Sequence, residues 1–71
     1  MEENLKKLAH EIKVLRAKNV MTLEELAVVS GVSHCSITFI ENCKKKPRVA
    51  TIIKIAKALK VDENELLNYI V

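Results

Sequence analysis

Apolar residues recur at helical spacing along almost the whole of this chain. Leu5, Leu8, Ile12 and Leu15 step by three, four and three residues, which makes one stripe on a helix from about Glu3 to Lys18. Lys6, Lys7, His10, Glu11, Lys13 and Lys18 fall mostly off it, and the chain turns at Asn19 and Val20. Thr22, followed three residues later by Glu25, forms a capping box that opens a second helix: the hydroxyl takes an orphan N–H and the carboxylate reaches back. Leu23, Leu26 and Ala27 supply its apolar face. Ser30 and Gly31 end it, because Gly adopts left-handed backbone without penalty. A third helix follows the N-cap Ser33, turns Ile37 and Ile40 inward with Val32 just before the cap, and ends near Asn42. Pro47 bars the helical conformation at Lys46 and suits the start of a fourth helix, from about Val49 to Leu59. Ile52, Ile55, Ala56 and Leu59 point inward there. Asp62 and Glu65 form a second capping box, for a fifth helix carrying Leu66, Leu67 and Ile70. The pattern predicts an all-α, compact five-helix domain over residues 1–71, with no linker or repeat.

Composition agrees and removes other classes. The chain has 71 residues, 49% of them apolar, with one Gly and one Pro, so a compact helical core is within reach. Cys35 and Cys43 are too few for a disulfide framework, and no signal peptide or run of about 20 apolar residues is visible, which reads as a cytoplasmic protein that does not enter a membrane. His10, His34 and the two cysteines stand at no metal-ligand spacing, so neither a metal nor a cofactor is expected. A single Gly rules out a Gly-rich phosphate loop. His34 and Cys35 are adjacent and would project about 100° apart on a helix, which is no nucleophile–base pair. An enzyme is not expected.

Charge changes the picture more. The formal net charge is +3, and Lys44, Lys45, Lys46, Arg48, Lys54, Lys57 and Lys60 follow one another with no acidic residue between them. Such a run suits a solvated helix face or a polyanionic partner. The segment Leu23 to Asn42, LEELAVVSGVSHCSITFIEN, favours the second. A small residue (Ala27), a glycine turn (Gly31) and a seated second helix are what two helices need to cross at roughly 90–120° through a 3–4-residue turn. That arrangement leaves the outer face of the second helix free to enter a DNA major groove.

These residues, with TLEELAVVSGVS, SITFIEN, KKKP and TIIKIAKALKVDENELL in order, resemble the lambda-repressor-like, or XRE, helix-turn-helix family over about Ile12 to Leu67. The resemblance implies a five-helix domain that binds double-stranded DNA, commonly as a homodimer on a palindromic operator, in transcriptional regulation and most often repression. It places Ser33, His34, Cys35, Thr38 and Phe39 against bases. Thr22, Asn42, Lys44, Lys45, Lys46 and Arg48 would meet phosphates. It also implies a structural ion pair between Arg16 and Glu41. Leu66, Tyr69, Ile70 and Val71 crowd an apolar C-terminal end and are expected at a dimer interface.

The departures from the family pattern are informative. Cys43 stands where Gly is usual; a positive φ is awkward for Cys, so the turn there is expected to be strained or differently shaped. Leu23 replaces a common Gln at the start of the second helix. The third helix offers neither Arg nor Lys to a guanine. Phe39 is a large apolar group on the same face, suited to thymine methyls or to a protein partner. The latter would make the chain an interaction module of the antitoxin or antirepressor type.

Overall fold

The apolar stripes bury as one core. Leu8, Ile12, Leu26, Ile37, Ile52, Ile55, Leu59 and Leu66 lose essentially all contact with solvent, each such burial contributing about 1.5–3 kcal/mol. The computed structural model describes residues 2–70 as five helices: α1 (Glu2–Lys18), α2 (Leu23–Ser30), α3 (His34–Glu41), α4 (Val49–Ala58) and α5 (Glu63–Leu67). All five expected helices form, four of them close to their expected bounds; α5 ends at Leu67, so Ile70, expected on it, lies in the turn beyond. α4 lies between α2 and α5, while α3 packs on α1 and α2. Between α2 and α3 the chain changes direction by 119°, as a helix-turn-helix requires.

Local chemistry sets the helix ends. The Thr22 hydroxyl accepts from the Glu25 N–H (3.1 Å), and the Glu25 carboxylate accepts from the Thr22 N–H (2.9 Å), completing the first capping box. The second expected box does not form, although Asp62 still caps α5. Asp62 accepts from the N–H of Asn64 (2.8 Å), one residue earlier than the box needs, and the Glu65 N–H bonds to the Asp62 carbonyl instead. Gly31 takes φ 75°, and a Cβ there would meet nothing within 4 Å, so its backbone alone calls for glycine.

Val20, Cys43 and Lys60 also have positive φ (53°, 58° and 61°). Each follows a helix and closes it with paired bonds of the Schellman type. At the end of α1, Val20 N–H donates to the Ala17 carbonyl (3.0 Å) and Met21 N–H to that of Arg16 (3.0 Å). Cys43 and Lys44 close α3, and Lys60 and Val61 close α4, in the same way. The turn at Cys43 therefore keeps the glycine-like shape and carries the strain. Asn19, read from the sequence only as a turn residue, ties two of these ends together: its amide donates to the carbonyls of Leu15 (2.8 Å) and Leu59 (3.2 Å).

An ion pair links α1 to the end of α3. Arg16 donates through Nε and Nη2 to the two Glu41 oxygens (3.0 and 3.3 Å) and through Nη1 to the Met21 carbonyl (3.0 Å). Glu41 is buried at 6% exposure and Arg16 is partly buried at 24%.

Two outcomes are expected in urea unfolding. Arg16→Met should lower stability by about 2–4 kcal/mol, below the upper range for a fully buried pair because Arg16 touches water; adding Glu41→Leu should restore most of the loss. Val20→Gly should raise stability by about 1 kcal/mol, roughly 4–8 °C in Tm, because it removes left-handed strain from a β-branched residue that buries almost nothing.

Candidate nucleic-acid interface

α3 begins at a well-built cap. The Ser33 hydroxyl accepts from the Ser36 N–H (3.2 Å) and donates to the Ser36 hydroxyl (2.9 Å). Ile37, Ile40 and Glu41 face inward and fix the rotation of the helix. The opposite face is left with His34, Cys35 and Phe39 exposed and Thr38 half-buried. Thr38 donates its hydroxyl hydrogen to the His34 carbonyl (2.9 Å), so toward a ligand it offers acceptor lone pairs. Phe39 remains 46% exposed. Cys35 is a free, exposed thiol; Cys43 is half-buried, with its Sγ 3.7 Å from the Leu5 carbonyl.

The segment after α3 concentrates positive charge. Asn42, Lys44, Lys45, Lys46 and Arg48 are exposed, and Pro47 is buried beneath them. Arg48 occupies the N-cap of α4 in extended conformation and makes no side-chain cap, and the first turn of α4 carries no acid. The leading N–H groups of α4 therefore have no side-chain acceptor, and the positive end of its dipole is uncompensated. A cleft of about 310 Å³ lies there, lined by Ser36 and Ile40 of α3 and by Lys45, Pro47, Arg48 and Thr51. Free amides beside a lysine and an arginine make an anion-binding arrangement. The signal was present in the sequence as an arginine where a capping Ser, Thr, Asp or Asn would normally stand.

The N-terminus of α2 is its electrostatic opposite. Thr22 is engaged in the capping box, and Glu24 and Glu25 occupy the first turn. The positive end of the α2 dipole is thus already offset by carboxylates. On the outer side of α2, Val28 and Val29 are 82% and 58% exposed, beside Met21 and the same two glutamates; their positions lie off the helix's core stripe.

At the C-terminal end one expectation is corrected. Leu66 is completely buried inside the monomer, where it anchors α5 to the core, so it is removed from any dimer surface. Tyr69 and Ile70 are half-buried and pack against the same core, and Val71 lies outside the described residues. Among the described residues no group of His, Cys, Asp and Glu side chains could hold a metal ion, and no single helix is long and apolar enough to cross a membrane.

Comparison with known proteins points one way. The Helix-turn-helix family model, HTH_3, matches residues 12–66. The chain is 38% identical over 64 residues to the HTH-type transcriptional repressor RghR of Bacillus subtilis (strain 168), covering 89% of this chain and 47% of the repressor. It is 41% identical over 58 residues to the uncharacterized HTH-type transcriptional regulator RghRB of the same organism, covering 80% of this chain and 42% of that protein. The chain thus spans under half the length of these curated relatives. Its fold is similar to the crystal structure of an HTH_3 family transcriptional regulator from Vibrio cholerae. The TM-score is 0.85 at 27% identity, over 94% of this chain and 38% of that one.

The uncapped α4 has a measurable consequence. Arg48→Asp supplies the missing cap and should raise the urea midpoint by the equivalent of about 0.5–2 kcal/mol. No gain would mean that the α4 amides are already satisfied.

Proposed function

The chain belongs to the HTH_3 helix-turn-helix family, and from that membership we propose that it is a sequence-specific, double-stranded DNA-binding transcriptional regulator, a cytoplasmic repressor that binds a palindromic operator as a homodimer. The observation that carries this reading is the cleft between α3 and the uncapped start of α4. There an exposed helix face adjoins free amides, Lys45 and Arg48. Groove reading and phosphate anchoring need those two features side by side.

In this reading α3 lies in the major groove with Ser33, His34, Cys35, Thr38 and Phe39 nearest the bases. His34 and Thr38 hydrogen-bond base edges, while Phe39 and the Cys35 thiol pack on thymine methyls. With no Arg or Lys on the face, affinity leans on phosphates. Asn42, Lys44, Lys45, Lys46, Arg48 and the α4 amides clamp the backbone, and Thr22 contributes less because its hydroxyl is already used. Tyr69 and Ile70, with Val71, form the dimer contact, which sets the two α3 helices about 34 Å apart, one DNA turn. The exposure of Phe39, Val28 and Val29 favours one other reading, a protein-interaction module on the same fold.

Selection of bound sites from a random duplex pool tests the reading directly and should return a two-fold symmetric site. Lys44→Ala and Lys46→Ala should weaken binding to every sequence alike, each flattening the salt slope by about one unit. Arg48→Asp, though more stable, should also lose affinity for every duplex. His34→Ala and Phe39→Ala should instead change which sequence is preferred. Sedimentation of the full chain at tens of micromolar should show a dimer; a species monomeric both free and on DNA would remove the symmetric operator. If Phe39→Ala left sequence preference intact and abolished binding to a protein partner, the interaction-module reading would replace this one.

A further inference from the structure

Glu24 is not needed by the fold. It is exposed, and the capping-box carboxylate is its neighbour Glu25. What Glu24 does is reach from α2 across the turn to α3, where its Oε2 lies 3.4 Å from Nε2 of His34, with the two side chains 73% and 50% exposed. A pair this open to water adds little to stability. Its position matters because His34 is the first residue of the exposed face of α3.

We propose that Glu24 is a specificity-determining positioning residue that acts through His34, an inference that rests on the DNA-reading role of α3. A neutral imidazole has one donor and one acceptor nitrogen, and a carboxylate can only accept. The carboxylate lies beside Nε2 as a charge contact rather than a formed hydrogen bond; of the neutral ring's two tautomers its negative charge favours the one with the proton on Nε2, which leaves Nδ1 as the acceptor. An acceptor recognises a base whose major-groove edge donates. Adenine offers its N6 amino group and cytosine its N4 amino group, while guanine and thymine offer only acceptors there. His34 held by Glu24 therefore selects adenine or cytosine at the base it faces. Without the carboxylate the ring takes either tautomer, and guanine and thymine become acceptable. Glu24 also adds a negative charge beside the face that reads DNA, so it lowers affinity for all sequences while it sharpens discrimination at one.

The test is to obtain the preferred site of the wild-type chain from a random duplex pool and vary each base in turn. Affinities are then measured for wild type, Glu24→Ala, Glu24→Gln, His34→Ala and the double Ala variant. The wild type should favour adenine or cytosine over guanine and thymine by about five- to tenfold at one position in each half-site, the position where His34→Ala is indifferent. Glu24→Ala should bind all duplexes more tightly, lower Tm by no more than a few degrees through the lost carboxylate at the α2 N-terminus, and compress that preference to within about twofold. Glu24→Gln, whose amide oxygen can accept from Nε2–H although it carries no charge, should keep the preference. In the His34→Ala background, removing Glu24 should change all affinities by one common factor. A Glu24→Ala variant with an unaltered base profile, or a wild type that favours guanine or thymine at the His34 position, overturns the inference while leaving the regulator reading intact. A wild type that recovers no specific duplex overturns both.

Discussion

The guanidinium of Arg16 joins three parts of the chain that would otherwise be free to rotate against one another. Two of its nitrogens hold the Glu41 carboxylate at the end of α3, and a third holds the Met21 carbonyl on the approach to α2. Apolar packing of Ile37 and Ile40 draws α3 onto the core, but such packing is non-directional. A two-point guanidinium–carboxylate contact is directional and fixes the helix about its own axis. That rotation decides that His34, Cys35 and Phe39 face outward. The function proposed here depends on it, because a recognition helix turned by one residue, about 100°, would present a different row of side chains.

The helix ends divide the molecule into a stabilised side and a receptive side. α2 and α5 begin with side-chain caps, at Thr22 and Asp62. α4 begins with none, and there the buried Pro47 turns the chain and Lys45 and Arg48 line the cleft. A cap at Arg48 would strengthen the fold and consume the amides that an anion needs. The positive-φ residues Val20, Cys43 and Lys60 show the other kind of cost: each closes a helix in a geometry glycine would adopt with less strain.

Much of this could be read from the residues alone, because it is written in local patterns. The stripes Leu8–Ile12–Leu15 and Ile52–Ile55–Leu59, the Thr22–Glu25 box and the Gly31 turn each act within one or two helical turns and need no knowledge of the rest. Cys43 was legible as an awkward position only through the resemblance to the helix-turn-helix family, in which Gly is usual there. Features that depend on the assembled fold were not. Leu66 sits on a helix of five residues, too short for periodicity to separate core from interface, and it is the residue that α5 buries. The exposure of Val28 and Val29 follows from which face of α2 meets α3 and α4. The approach of Glu24 to His34 exists only because α2 and α3 meet at 119°. The α4 site lay between the two cases: its missing cap was visible, but the cleft beside it required Ser36 and Ile40 to be placed.

The central claim is that the exposed face of α3 and the start of α4 form one surface for DNA. It is tested most directly by following the backbone amides of the intact chain by NMR during titration with duplex DNA at low salt. The account predicts the largest shifts at Val49, Ala50 and Thr51 and along residues 34–39, with Leu8, Ile12 and the other buried positions of α1 little affected. Shifts confined to Val28 and Val29 on the outer side of α2, or no shifts with any duplex, would contradict it.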